Sequence, residues 1–296
     1  MAIPITPAIP QFLVDCERMI RAGSSTFHKA FSFLSSPRRE AVYVLYAFCR
    51  MIDDAVDEPA ASPYSLDELE ALFLRLEEAD GHFIWPALRW LFAHYAVPRE
   101  PFLQQMQGQR LDLTLTRYDS LEQLDRYCYL VAGTVGEMLL PILHDTPDAK
   151  IRSAGIEIGQ AMQIVNIVRD IGEDWRRGRR YVPLELMQRY GCTDADFAEG
   201  SATPAFRQLL ESMMDAAQRL MSRGLAGFAD CPPESAFCIE LAARTYLAIL
   251  EQVRANGYDV FATRAVVSSR RKLAILLDVA GRHHGTVREA ALRAVQ

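Results

Sequence analysis

Two stretches of this 296-residue chain each carry a single file of polar, mostly acidic side chains through otherwise apolar helix. In the first, which ends CRMIDDAVDE, the file is Tyr46, Arg50, Asp53 and Asp57, flanked by Phe48, Ile52, Ala55 and Val56. In the second, QAMQIVNIVRDIGEDWRRGRRYVP, Asn166, Asp170 and Asp174 recur every fourth residue with Gln163 a turn earlier, among Met162, Ile164, Val165, Ile167, Val168 and Ile171. At about 100° per residue each file occupies one helix face. A solvated face would be wide and charged, whereas these are narrow and bordered by apolar residues. Carboxylates placed in buried helices are costly unless a cation meets them. The economical arrangement is a pair of facing magnesium clamps around an anionic ligand.

The rest of the sequence also reads at helical period. Ser36-Pro37 has the form of an N-cap and first-turn pair opening the helix that carries Asp53, and Ser65-Leu66-Asp67-Glu68 and Ser120-Leu121-Glu122-Gln123 have the form of capping boxes. Amphipathic stretches near 12–22, 84–95, 99–112, 148–174, 204–227, 234–256 and 269–294 complete an all-α chain of about eight to ten helices, with few strand signals. The Pro-rich stretches at Pro4–Pro10, Pro59–Pro63 and Pro232–Pro233 are too short for linkers. The expectation is one helical domain over 1–296, its function placed in a central cavity between facing helices.

Charge and cysteine usage narrow the function classes. A net charge of −6 and a pI near 5.6 argue against a nucleic-acid binder. The six cysteines show no CxxC spacing and sit in apolar helical context, as reduced core thiols of a cytosolic protein do. No secretion leader opens the chain, and the stretch Cys128–Leu143, broken by Glu137 and Pro141, is too short to span a bilayer. A soluble protein is expected, with peripheral contact at a membrane surface left open. No dinucleotide fingerprint, phosphate loop, HExxH or nucleophile elbow is present. His283-His284 is read as a surface pair. Arg176, Arg177, Arg179 and Arg180 form a basic loop with three readings: closing over an anionic ligand, resting on anionic lipid, or a plain solvated turn.

Three runs, STFHKAFSFLSSPRREAVYVLYAFCRMIDDAVDE, YCYLVAGTVGEMLLPIL and NIVRDIGEDWRRGRRYVP, together resemble the squalene and phytoene synthase family of head-to-head prenyl transferases. The resemblance runs from about residue 20 to residue 280, with the signatures in the family's order. It implies an isoprenoid-synthase helical bundle in which Asp53, Asp57, Asn166, Asp170 and Asp174 bind magnesium, with manganese as a substitute, and the metals hold the diphosphates of two substrates. It further implies substrate contacts from Arg50, Gln163, Arg169 and Arg264, and an aromatic lining from Phe27, Phe31, Tyr46 and Tyr246. Tyr127 is implied to handle a proton. Val131 and Val135, in a small-residue run with Ala132, Gly133 and Gly136, are implied to let the prenyl tail pass close to a helix backbone.

The chemistry the family performs makes its own demands. An allylic cation left by diphosphate departure is quenched by water, so the site must be dry and lined with electron-rich faces that are not nucleophiles. One departure bears on this. Where the family often reads His-Ser-Lys-Ser-Phe, this chain has Gly23, Ser24, Ser25, Thr26 and Phe27, and Ser35-Ser36-Pro37 replaces the usual Leu-Pro. The second diphosphate site therefore does not carry over residue by residue. The expected reaction joins two farnesyl diphosphates to presqualene diphosphate and a squalene-type or dehydrosqualene-type product. Geranylgeranyl diphosphate is the alternative, and a farnesyl diphosphate phosphatase or a non-catalytic isoprenoid-binding protein remain open, as does the oligomeric state. NADPH is not expected, because no Gly-rich strand-to-helix turn is present and the chain ends soon after the motif-bearing region without a C-terminal anchor.

Overall fold

The computed structural model describes residues 9–228 and 231–294, so most of the Pro4–Pro10 stretch lies outside the described residues. Within them the chain forms fifteen α-helices and one π-helical turn, with no β-strand. The long helices fall where the apolar periodicity places them: α1 Gln11–Gly23, α3 Arg38–Asp57, α5 Ile84–His94, α6 Glu100–Leu111, α9 Ala149–Arg176, α12 Pro204–Gly227 and α13 Pro233–Ala255. The helix count exceeds the sequence expectation because short helices are cut by local turns. Left-handed Gly191 and Gly200 end α10 Leu184–Tyr190 and α11 Asp194–Glu199, and Gly285 at φ 75° splits the 269–294 stretch into α14 Ser269–Arg282 and α15 Thr286–Arg293.

Capping follows the sequence only in part. Ser65 and Glu68 close a full capping box at α4 Leu66–Leu74. At α7 Leu121–Cys128, Ser120 accepts from the Gln123 amide, but the Gln123 side chain reaches back to Asp119 N–H rather than to Ser120. Helix α3 begins at Arg38 behind Pro37, with no side-chain cap from Ser36.

Helix α9 is the central strut, packed against α8 Thr134–Leu143, α12, α13 and the π-turn Tyr129–Gly133. Its closest approaches are made by residues without side chains. A Cβ on Gly136 would stand 2.1 Å from the Gly155 carbonyl oxygen, and one on Gly159 2.2 Å from that of Ala132. The small-residue run therefore lets two helices touch backbone to backbone, while Val131, Ala132, Val135 and Gly136 also line the cavity. Across the bundle, Phe48 packs with Phe73, Trp85 and Phe102 at ring separations of 5.4–6.0 Å, all four buried. Such side chains each stabilise the fold by roughly 1.5–3 kcal/mol relative to exposure. The six cysteines are buried and form no disulfide. His283 is not a free surface residue: it is half-buried, edge-on to Phe237 and 2.8 Å from Glu240 Oε2. No described helix is long and apolar enough to cross a membrane.

Candidate active site

A cavity of about 670 Å³ opens between α2 Ser25–Phe31, α3, α6, α8, α9 and α13, and both polar files face it. All sixteen residues singled out in the sequence line it: Phe27, Phe31, Tyr46, Arg50, Asp53, Asp57, Tyr127, Val131, Val135, Gln163, Asn166, Arg169, Asp170, Asp174, Tyr246 and Arg264. The apolar wall is centred on Phe27, whose ring lies 5.4 Å from Tyr246, 6.1 Å from Phe31 and 6.3 Å from Tyr46. Gly23 leaves room for that wall, since a Cβ there would meet the Tyr46 hydroxyl at 2.5 Å.

The carboxylates divide into paired and unpaired. Asp57 accepts from Arg179 Nη1 at 2.7 Å, with Arg177 Nη1 3.5 Å away. Asp170 accepts from Arg264 Nε at 2.8 Å and is also clasped by Arg169. Burial alone would raise the Asp170 carboxyl, but these hydrogen bonds outweigh it and hold the group below the usual carboxylate range. Arg50, expected to face substrate, pairs instead with Asp54 at 2.5 Å while still lining the cavity. Asp53 has only the Gln109 amide as a hydrogen-bond partner, and Asp174 has no side-chain partner among the described residues. Burial pushes both carboxyls up to about 7; the negative charge of Asp57 adds to the effect at Asp53, and that of Asp170 at Asp174.

Local backbone explains how the arginines reach these acids. After α9 ends, Gly178 at φ 81° reverses the chain, and Arg179 N–H bonds back to the Asp174 carbonyl at 2.8 Å, which returns the Arg179 side chain to Asp57. Arg180 is buried, its main-chain amide donating to Thr116 O. Of the basic loop, Arg177 and Arg179 line the cavity, which favours its reading as closing over an anionic ligand. Gly172 does the equivalent for Arg264. Its amide donates to Val260 O at 3.1 Å, and a Cβ there would stand 2.6 Å from Phe261 Cα, so the 256–268 segment lies directly on α9 beside Asp170.

Two groups escaped the sequence reading. Asp112, buried at the end of α6, accepts from Tyr127 Oη and Tyr181 Oη, each at 2.8 Å, and the Tyr127 and Tyr181 rings stack 5.0 Å apart. Burial raises the Asp112 carboxyl although both tyrosines oppose the shift, and burial also lifts Tyr127 well above its ordinary value. Gln105, Gln109 and Asp112 at i, i+4 and i+7 form a third polar file of the kind recognised on α3 and α9, and the run QMQGQRLD contains that signal. The second missed group is Lys272, whose Nζ lies 3.2 Å from Ser25 Oγ on the cavity rim, beside the position where the family often has lysine.

The donor set fits a divalent cation. Asn166 Oδ1 is buried without a hydrogen-bond partner, and it shares a helix face with the unpaired Asp174. Among the described residues no three acidic, histidine or cysteine side chains converge on one point, so the protein alone does not form a closed cage. That suits magnesium, which is typically held by one or two carboxylates together with substrate phosphates.

Residues 20–271 match the profile of the squalene/phytoene synthase family. The chain belongs to the squalene/phytoene synthase family. Its members are prenyltransferases, and this chain is a prenyltransferase. It is 35% identical to the phytoene synthase of Thermus thermophilus over 260 residues, covering 88% of this chain and 89% of that one. It is 32% identical to the chloroplastic phytoene synthase 3 of Zea mays, covering 93% of this chain and 66% of the longer plant protein. A dehydrosqualene synthase solved in complex with a ligand superposes with a TM-score of 0.87 at 33% identity, covering 92% of this chain and 96% of that one. The squalene synthase HpnC from Alicyclobacillus acidocaldarius gives 0.76 at 28% identity, covering 85% and 97%. The family binds isoprenyl diphosphates and uses divalent metal to hold them.

Proposed function

We propose that the protein condenses two molecules of farnesyl diphosphate head to head, giving presqualene diphosphate and then a dehydrosqualene-type or squalene-type product. The observation that carries this reading is the pair of carboxylate files on α3 and α9 facing one cavity whose remaining wall is aromatic and aliphatic. In it, Asp53, Asp57, Asn166, Asp170 and Asp174 would hold magnesium or manganese, which acts as a Lewis acid on the departing diphosphate. Arg50, Arg169, Arg264 and Lys272 stand around the mouth as guanidinium and ammonium donors for diphosphate oxygens, with Gln163 beside them.

Behind the mouth, Phe27, Phe31, Tyr46 and Tyr246 present ring faces to an allylic cation, and Val131 and Val135 exclude water from it. With both allylic chains held there, the second substrate's double bond attacks the cation, and loss of a proton closes the cyclopropane. Tyr127 Oη, held on Asp112 Oδ2, is the group placed to pass that proton on. Farnesyl chain length is favoured by Phe31, a bulky buried ring in the wall, and by the likeness to a dehydrosqualene synthase. The relatives named phytoene synthase favour geranylgeranyl diphosphate as the second reading.

The test is to incubate the purified protein with magnesium and each prenyl diphosphate, with and without NADPH, and to identify the extracted lipid by mass spectrometry. A coupled C30 product from farnesyl diphosphate without NADPH is expected. Coupling of geranylgeranyl diphosphate alone would overturn the chain length, and squalene formed only with NADPH would overturn the absence of a reductant. Farnesol or farnesyl monophosphate alone would mark a phosphatase, and binding without turnover a carrier.

A further inference from the structure

Arg177 and Arg179 after α9 line the cavity, and another surface beside its mouth combines cations with exposed apolar side chains. Helix α14 turns a stripe of Arg270, Leu273, Ala274, Leu277 and Gly281 outward, at the i, i+3, i+4, i+7 and i+11 spacing of one helix face. Leu273 and Leu277 are each 42% exposed, and Val266, just before the helix, is 66% exposed. The opposite face, with Ile275, Leu276, Val279 and Ala280, is buried. The helix is thus apolar on both sides, and only one side meets protein.

Charge distinguishes this stripe from scattered exposed leucines. Between Arg264 and Arg293 there are seven arginines and lysines against two acids, in a chain whose net charge is −6. Arg270, Arg271 and Lys272 occupy the first turn of α14, where the helix dipole disfavours cations. Their placement therefore costs the isolated fold something. Arg271 is paired with Glu251 at 2.7 Å, whereas Arg270 has no ion-pair partner among the described residues.

We infer that the exposed face of α14, with Val266, is a docking surface for an anionic lipid bilayer. Cations on the first turn meet lipid phosphates while Val266, Leu273 and Leu277 enter the acyl boundary, the arrangement by which an amphipathic helix lies in a membrane interface. The surface adjoins the cavity: Lys272 reaches Ser25 on its rim, and Arg264, eight positions earlier, pairs with Asp170 inside it. Docking there sets the mouth close to the lipid. The reason for such docking rests on the proposed reaction, whose substrates carry long apolar tails and whose product has no charge after diphosphate leaves. The binding itself is measured without turnover, so its failure and that of the reaction are separable.

The experiment is co-sedimentation of the full-length protein with vesicles of phosphatidylcholine containing phosphatidylglycerol, against vesicles of phosphatidylcholine alone. Binding only to the anionic vesicles, weakening as salt is raised, is expected. Arg270→Gln should lower the partition coefficient roughly fivefold. Leu273→Ser with Leu277→Ser should lower it at least about tenfold. Arg270 is exposed and the two leucines are only part-covered, so Arg270→Gln should keep the wild-type melting temperature, the double leucine variant should melt within about five degrees of it, and both should keep the wild-type rate on substrate supplied without vesicles. Equal binding to neutral vesicles, no binding, or unchanged binding by both variants would overturn the inference. So would a dimer in size-exclusion chromatography that the double leucine variant converts to monomer, because the stripe would then cover a second copy of the chain.

Discussion

Asp53 shows at a single residue how a buried acidic cluster strains its own fold. Its carboxyl, pushed by burial up to about 7, prefers to be neutral in the metal-free protein. A folded pKa above the unfolded value near 4 stabilises the fold at low pH, and that contribution is lost as pH rises from about 4 through about 7. Asp53→Asn removes this burden. At pH 8 without metal the variant should melt above wild type by about 2–4 °C, the gap closing toward pH 5, while turnover with magnesium falls more than about a hundredfold. Calorimetry across pH with a steady-state assay checks both, and near-native turnover would remove Asp53 from the metal site. Tyr127 offers a different separation. Tyr127→Phe keeps the ring on Tyr181 but removes the bond to Asp112, so substrate binding should stay within about twofold while product formation slows by roughly 10²–10⁴ or diverts to quenched alcohols. Unchanged rate and product would reduce Tyr127 to packing.

Among elements, α9 combines the polar file that lines the cavity on one face with close backbone packing on another. Gly159→Ala would set a methyl group 2.2 Å from the Ala132 carbonyl oxygen, and the two backbones have no flexible side chain to yield. Overpacking of this kind costs about 1–3 kcal/mol, so the melting temperature should fall by a few to about ten degrees; a fall of less than a degree would show that the π-turn and α9 slide apart freely. The helices and their inward faces were legible in the sequence, because Asn166, Asp170 and Asp174 repeat at the helical period among branched aliphatics, and period is a local property. What the polar side chains touch was not legible. Arg50 could be placed on the stripe with Asp53, but its choice of Asp54, one residue off the stripe, depends on side-chain reach. Asp112 was missed because its two partners come from Tyr127 and from Tyr181, sixty-nine positions away. Gly136 was seen as a small residue and Gly159 was not singled out, and only the packed helices show that a carbonyl stands where each Cβ would be.

At the scale of the whole molecule, the cavity's dimensions should set the length of chain it accepts. Phe31 is buried in the wall, and Phe31→Ala deletes a ring without touching the acidic files. Its product distribution from mixed farnesyl and geranylgeranyl diphosphates should move toward longer chains, while magnesium dependence is unchanged; the same C30 product alone would show that another residue limits length. The arginines at the mouth carry a further consequence. Arg179 on Asp57, and Arg169 with Arg264 on Asp170, already occupy the carboxylates as built-in counter-ions. At these two carboxylates a bare magnesium ion would have to evict a guanidinium and leave it with no anion to bind. A magnesium ion arriving with diphosphate would give that guanidinium a new partner, so on the proposed function Asp57 and Asp170 would exchange their arginines only for a metal that brings an anion able to receive them. Metal and diphosphate therefore bind with mutual reinforcement, each raising the other's affinity by the same factor. Titration calorimetry should find magnesium binding weak alone and at least about tenfold tighter with inorganic pyrophosphate present, and equal affinities in the two conditions would show that the arginines do not exchange.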